Sequence, residues 1–222
     1  MNTLSRNLTV IAGLALLLAA CSKDRLVVDP VNEFLSSNYY QTEDQVASAL
    51  IGVYDPIGWS MAYGQWISPT MMGEIRSDNA NAGGDPSNND QPGWQELDDF
   101  TNTNSNVVIH PIYRKSYIGI SRANALLDLT EIESETVTEY KAQAQWLRGY
   151  YHFELFRHFG PIPVVNQSLT PDDMNLERNT LSEVMQQIVT DCEQALPHLP
   201  LVAPSGQEGR VTKGAAYALM GK

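Results

Sequence analysis

The chain has 222 residues and a formal net charge of −12 at pH 7, with 26 Asp and Glu against 14 Lys and Arg. This acidic balance argues against a nucleic-acid partner, because binding to a phosphate backbone depends on Lys and Arg. Only two cysteines are present, so if Cys21 is modified, Cys192 has no disulfide partner and the fold must rest on its core.

The N-terminus has the pattern of an export signal that ends at a cysteine. Arg6 precedes an apolar stretch, Leu8–Ala20, which is too short to cross a membrane but long enough for a signal peptide. The tetrapeptide Leu18–Cys21 is similar to a bacterial lipobox. We therefore expect residues 1–20 to be removed and Cys21 to carry acyl chains such as palmitate, which anchor the protein to a membrane. The alternative is an ordinary secretory signal followed by an unrelated cysteine.

The residues after Cys21 indicate where the anchored protein is sorted. Ser22 follows the cysteine in place of the aspartate that retains lipoproteins in the inner membrane, which favours the outer membrane and exposure at the cell surface. Residues 21–36 are polar and irregular. They are typical of a linker that holds a domain, here residues 37–222, away from the lipid.

Apolar residues in this domain recur mostly at helical spacing. Thr42 with Gln45 and Thr180 with Glu183 match capping boxes, the first in front of a helix over about 43–55. Further helices are predicted after Pro111, over about 137–158, over about 181–196 and after Thr212. Successive helix pairs indicate an all-α, tetratricopeptide-like repeat scaffold. The last helix is still running at Lys222, which suggests that the chain is truncated.

Residues 59–106 differ from the rest, because they are rich in Gly, Asn, Asp, Ser and Pro and show no sustained periodicity. We predict a long irregular loop insertion, and loops of such length are often functional. A sugar site needs aromatic platforms and polar partners for hydroxyl groups. The loop offers five candidates for such contacts: Trp94, Asp78, Asn79, Arg76 and Trp66. Trp94 is the first choice for an exposed stacking platform, whereas Trp66, like Trp59, also fits a core position near the first helix.

Ordered sequence blocks resemble the SusD/RagB family of outer-membrane nutrient-uptake lipoproteins. The matching blocks are Phe34–Tyr54, Gly73–Asp78, Tyr117–Leu127, Ala144–Pro163, Asp191–Pro200 and Gly209–Ala216. The resemblance implies a helical scaffold whose loops bind a glycan or another nutrient. It also implies a partner, a SusC-like TonB-dependent transporter over which such a protein forms a lid. Family members are considerably longer than this chain, and their later half carries part of the ligand site.

Three functions remain open at this point. The first is a surface lipoprotein that binds a nutrient, for which the family resemblance favours an oligosaccharide, and passes it to a transporter. The second is a lipid-anchored scaffold for other envelope proteins. The third, a hydrolase, has little support, because the four histidines are scattered without a catalytic or metal-binding spacing. We expect no enzyme activity, no cofactor and no metal. Arg148, within an otherwise apolar helix, is expected to form structural ion pairs.

Overall fold

The computed structural model describes residues 39–62, 65–85, 87, 90–173 and 175–222. The predicted signal peptide, the linker and Cys21 lie outside the described residues. The main helices are α1 (Glu43–Tyr54), α4 (Ile109–Leu129), α5 (Glu135–Phe159), α6 (Leu181–Ala195) and α7 (Lys213–Met220). The smaller elements are β1 (Met61–Ala62), β2 (Gln65–Trp66), α2 (Pro69–Ile75) and α3 (Pro92–Asp98), with 3-10 turns at Asp55–Gly58, Pro171–Asp173 and Leu196–His198.

The predicted helices are confirmed, and two of them begin as the sequence indicates. The Thr42 hydroxyl accepts a hydrogen bond from the backbone N–H of Gln45, and the Gln45 side chain accepts one from Thr42 in return. Thr180 and Glu183 form the same reciprocal pair at the start of α6. Each pair satisfies backbone donors that a helix start otherwise leaves unpaired. The last helix ends at Met220, two residues earlier than expected.

The segment 59–106 is more ordered than the sequence predicts. It contains the β1–β2 hairpin and two seven-residue helices, α2 and α3. The prediction of one irregular loop was wrong at these positions because helices this short contain too few apolar repeats to show a period. Ser68 caps α2 by accepting a hydrogen bond from Met71 N–H, a local signal that composition alone does not reveal.

The helices form an all-α, tetratricopeptide-like scaffold around α5. This helix packs against α1, α4 and α6, and α6 in turn packs against α7. Tyr151 lies at the centre, where its ring fits against Gly119 and its hydroxyl donates to the Val53 carbonyl at 2.6 Å. The core formed by these helices is large and apolar.

A buried polar network joins three of the helices to the chain that follows α5. Arg148 on α5 forms a two-pronged ion pair with Asp191 on α6, through Nε at 3.0 Å and Nη2 at 2.5 Å. It also donates to Asn124 on α4 at 2.9 Å. His152 accepts a hydrogen bond from Val165 N–H at 3.3 Å. The prediction that Arg148 fixes neighbouring helices is confirmed.

A second, smaller apolar cluster lies under segment 59–106. Its buried members are Ile67, Met72, Ile75, Trp94, Leu97, Val108 and Ile112. The cluster therefore joins α2, α3 and the start of α4, and it supports the surface above it. No helix within the described part of the chain combines the length and apolar character that crossing a bilayer requires.

Candidate functional site

The candidate site is a cleft of about 450 Å³ above the second cluster. It lies between the end of α2, the loop after α3, the start of α4 and the end of α5. The residues that line it are Met72, Arg76, Asn102, Thr103, Asn104, Ile109, His110, Tyr113, His158, Phe159, Pro161, Ile162 and Arg178. Its size lies within the roughly 300–1,000 Å³ typical of small-molecule sites.

The loop that carries Asn102 and Asn104 is shaped by hydrogen bonds to α3. The backbone N–H groups of Thr101 and Asn102 both donate to the Glu96 carbonyl, at 2.9 and 3.1 Å. These bonds turn the chain back over the end of the helix. Backbone hydrogen bonds therefore hold the loop in place, and the side chains of Asn102 and Asn104 line the cleft.

Asn106 joins this loop to both neighbouring helices. Its side-chain N–H group donates to the Gly93 carbonyl and to the Glu96 carboxylate, each at 2.8 Å. Its side-chain oxygen accepts from the N–H groups of Val108 and Ile109, which begin α4. A single buried amide thus fixes the spacing between α3 and α4, and with it one wall of the cleft.

Two aromatic rings also line the cleft. Tyr113 on α4 and Phe159 at the end of α5 meet edge to face, with their ring centroids 5.1 Å apart. Gly160 then takes a left-handed conformation, with φ of 68°, so the chain leaves the helix toward Pro161. Tyr117 anchors this exit by donating to the Pro163 carbonyl at 2.7 Å. Two half-buried aromatic rings are therefore held by rigid elements beside the polar loop.

Positive charge reaches the cleft from two arginines. Arg76 follows α2, where its guanidinium lies 5.1 Å from the centre of the exposed Phe100 ring, and Arg178 contributes from the segment before α6. Burial, together with the charges of Arg157 and Arg76, lowers the pKa of His158 to about 4. His158 is therefore neutral near pH 7, and the arginines supply the charge.

The five candidates from the sequence are not brought together. Arg76 lines the cleft. Asp78 and Asn79 are exposed but are not among the described residues that line it. Trp66 is 51% exposed on β2, so the expectation of a core position for this ring was wrong, although Trp59 does pack against the second cluster.

Trp94 is the main correction to the sequence-based prediction. It is only 4% exposed and packs into the second cluster beneath the cleft, so the exposed stacking platform expected at this position is not found there. The reason is that α3 turns its apolar face, which includes Leu97, toward α2 and α4. The neighbouring polar residues Gln95 and Glu96 are half-buried, whereas Trp94 and Leu97 are buried.

The sequence did not single out Tyr113, Phe159 or Arg178 as site residues. Tyr113 falls within the helix predicted after Pro111, and Phe159 directly follows the helix predicted over about 137–158. Nothing in the sequence brings these positions next to residues 102–104. No group of three or more His, Cys, Asp or Glu side chains in the described ranges is placed to hold a metal ion.

The fold and the cleft define a class of protein in which a helical repeat scaffold carries a loop-built site. Residues 28–222 match the SusD-like family model described as "Starch-binding associating with outer membrane". The chain therefore belongs to the SusD-like family, and the resemblance noted in the sequence is confirmed.

Three similar proteins illustrate the relationship. The SusD-like protein P2 of Formosa agariphila is 23% identical over 192 residues, which cover 84% of this chain and 37% of that protein. A laminarin-binding SusD-like protein has 28% identity and a TM-score of 0.75, with 82% of this chain and 40% of that chain covered. Surface glycan-binding protein A from Bacteroides thetaiotaomicron, in complex with laminarihexaose, has 25% identity and a TM-score of 0.70, with 80% and 37% covered.

The chain spans less than two fifths of the length of the curated relatives that it matches, between 34% and 38%. The likeness to the solved SusD-like structures extends over 80% to 87% of this chain.

Proposed function

We propose that the protein binds an oligosaccharide in the cleft of Arg76, Asn102 and Tyr113 and does not alter it chemically. A sugar ring presents an apolar face of C–H groups and a rim of hydroxyls. Half-buried aromatic rings suit the apolar face, and amide and guanidinium groups suit the hydroxyls. The cleft holds these residue types together on a rigid scaffold, which is where recognition loops are usually found.

One observation carries the proposal. The Asn102 and Asn104 amides, the Tyr113 and Phe159 rings and the Arg76 guanidinium all line the same cleft. Support also comes from two similar structures, one of a protein named for binding laminarin and one of a protein in complex with laminarihexaose. A catalytic role would need an acid, a base or a nucleophile placed against the bound sugar. Among the described residues, the lining has no carboxylate or thiol, and burial keeps one of its two histidines, His158, neutral near pH 7 by lowering its pKa to about 4.

The proposal extends to where the protein works and with which partner. Cys21 is expected to carry the lipid that holds the protein at the outer membrane, on the cell surface. There it would deliver the bound oligosaccharide to a SusC-like TonB-dependent transporter. The lipobox in the sequence and the outer-membrane association in the family description support this placement.

Calorimetric titration of the chain with a panel of oligosaccharides, including laminarihexaose, tests the binding step. We expect saturable binding to at least one member of the panel, with the sugar recovered intact by chromatography after long incubation. Release of shorter sugars would contradict a non-enzymatic role. Absence of binding across the whole panel would contradict a glycan ligand.

The anchoring step has a separate test. Cells that express the protein are grown with labelled palmitate, beside cells that express the Cys21→Ala variant. We expect label in the wild-type protein in the outer-membrane fraction and none in the variant. Equal labelling of the two proteins, or none in either, would show that Cys21 is not the lipid site.

A further inference from the structure

A second cleft, of about 370 Å³, lies on the other side of α2. Ser68 and Thr70, at the start of α2, line it, whereas the far half of the same helix lines the first cleft through Met72 and Arg76. The second cleft also reaches the turn after α1, the middle of α4 and the last turns of α5. The two clefts therefore have separate linings and can be tested separately.

Lys115 is the unusual feature of this cleft. Its side chain lines the cleft, and the residue is only 5% exposed. Within the described residues, its one hydrogen bond is a long contact of 3.4 Å from Nζ to the Trp59 carbonyl. An ammonium group has three donors, and leaving a buried charge without partners is costly. Burial accordingly lowers the pKa of Lys115, an effect that the charge of Glu154 partly opposes.

Glu154 does not neutralise this lysine at close range, because its carboxylate is already engaged. Arg157 donates to Glu154 at 2.9 Å, and the two form an ion pair three residues apart on α5. Burial, together with the charge of the Glu154 carboxylate, raises the pKa of Tyr150 to about 12. The Glu154 charge is thus compensated by Arg157, which leaves Lys115 as the excess positive charge.

The rest of the lining suits a small polar ligand. The side chains of Ser60, Ser68 and Thr70 bring hydroxyl groups to the cleft, and Trp59 contributes an aromatic wall. The Arg122 guanidinium lies 5.8 Å from the centre of the Trp59 ring and pairs with Asp55 at 2.8 Å. A water molecule could accept a hydrogen bond from Lys115, but it would leave the charge unbalanced.

We propose that this second cleft binds the oxyanion of a small ligand, a carboxylate or sulfate group carried by an acidic sugar, with Lys115 as its counter-ion. The hydroxyl groups and the Trp59 ring face the remainder of the sugar. In a chain with a net charge of −12, an anion is held only where a local cation stands in a partly desolvated site. Lys115 meets both conditions. The inference does not depend on glycan binding in the first cleft.

The test uses three sugars of similar size as probes: D-glucuronate, D-glucose 6-sulfate and neutral D-glucose. They are titrated into the wild-type chain by NMR, with inorganic sulfate as a fourth probe. We expect the acidic sugars to bind at least about tenfold more tightly than glucose, the equivalent of one charge-assisted hydrogen bond. The relative affinities of glucuronate and glucose 6-sulfate show whether the site prefers a carboxylate or a sulfate group. The affinity of inorganic sulfate shows whether the sugar ring contributes to binding. Equal affinity for acidic and neutral sugars would overturn the proposal.

Two matched variants locate the effect. Lys115→Met removes the charge and keeps most of the side-chain volume, and Lys141→Met makes the same change at a lysine that instead bonds the Thr130 carbonyl. We expect Lys115→Met to lose the preference for acidic sugars and Lys141→Met to retain it. An undiminished preference in a folded Lys115→Met protein, checked by circular dichroism, would refute the assignment. If that variant does not fold, the wild-type comparison of acidic with neutral sugars still decides. Oligosaccharide binding in the first cleft should be the same in both variants.

Discussion

The helical scaffold and segment 59–106 are stabilised in different ways. The scaffold consists of helices of up to 25 residues that share one large core and a buried ion pair. The segment has helices of seven residues, a short hairpin and a cluster of seven buried residues. The comparison indicates that long helices supply most of the stability, whereas the segment depends on that support and supplies ten of the 26 residues that line the two clefts.

The largest expected effect comes from the buried ion pair of the scaffold. Asp191→Asn leaves Arg148 charged and buried without its counter-ion, which typically costs about 3–5 kcal/mol. The matched change Asp55→Asn breaks an exposed pair with Arg122 and should cost less than about 1 kcal/mol. Urea denaturation of both variants measures the difference. Equal losses would contradict the view that the network holds the scaffold together.

Within segment 59–106, the two tryptophans should behave differently. Trp94→Ala empties the centre of the second cluster, and a buried Trp→Ala change typically costs about 3–5 kcal/mol. Trp66→Ala removes a half-exposed ring and should cost much less. Hydrogen exchange by mass spectrometry would show whether the loss at Trp94 is confined to the segment. If the scaffold amides lose protection to the same extent, the two regions unfold as one unit.

Alanine substitutions at two glycines compare the packing of the scaffold with that of segment 59–106. A Cβ at Gly119 would lie 2.2 Å from the Tyr151 ring, so Gly119→Ala should cost at least about 1–3 kcal/mol. Nothing lies within 4 Å of the same position at Gly73 in α2, where alanine should stabilise the helix by about 0.5–1 kcal/mol. Thermal unfolding of the two variants measures the opposite signs. A stable Gly119→Ala protein would contradict the described contact.

The scaffold should also be sensitive to mild acid through His152. Burial lowers its pKa to about 4, below the value of about 6.5 expected in an unfolded chain. The unfolded state therefore binds a proton first, and stability that is fully present above about pH 6.5 is lost as the pH falls toward 4. At pH 5 the loss from this group is about 2 kcal/mol.

The His152→Gln variant separates this effect from the protonation of carboxylates. Unfolding free energies at pH 7.5 and pH 5 are compared for the variant and the wild-type protein. We expect a smaller pH-dependent loss in the variant, because it lacks the buried imidazole. Identical losses in the two proteins would show that His152 does not control the response.

Much of the scaffold could be predicted from the sequence, because long amphipathic helices repeat the same signal many times. The capping boxes at Thr42 and Thr180 fixed two helix starts, and the position of Arg148 in an apolar helix indicated an ion pair. Such features are local, or they recur at a fixed spacing, and a single sequence therefore contains them.

The site could be predicted only in part. Arg76, one of the predicted candidates, lines the cleft, but the predicted exposure was wrong for Trp94 and the predicted burial was wrong for Trp66. Exposure in a seven-residue helix depends on which neighbours cover it. The approach of Tyr113 and Phe159 to residues 102–104 is a tertiary contact with no local sequence signal.

Asn102→Ala and Asn79→Ala give the most direct test of the central claim, that the first cleft binds an oligosaccharide. Asn102 lines the cleft, whereas Asn79 is exposed outside the described lining and was proposed from the sequence. Calorimetric titration with the tightest oligosaccharide of the panel should show affinity reduced about tenfold in Asn102→Ala, consistent with the loss of one ligand hydrogen bond, and unchanged in Asn79→Ala. Unchanged affinity in Asn102→Ala, with a loss in Asn79→Ala, would contradict the account and place the sugar elsewhere.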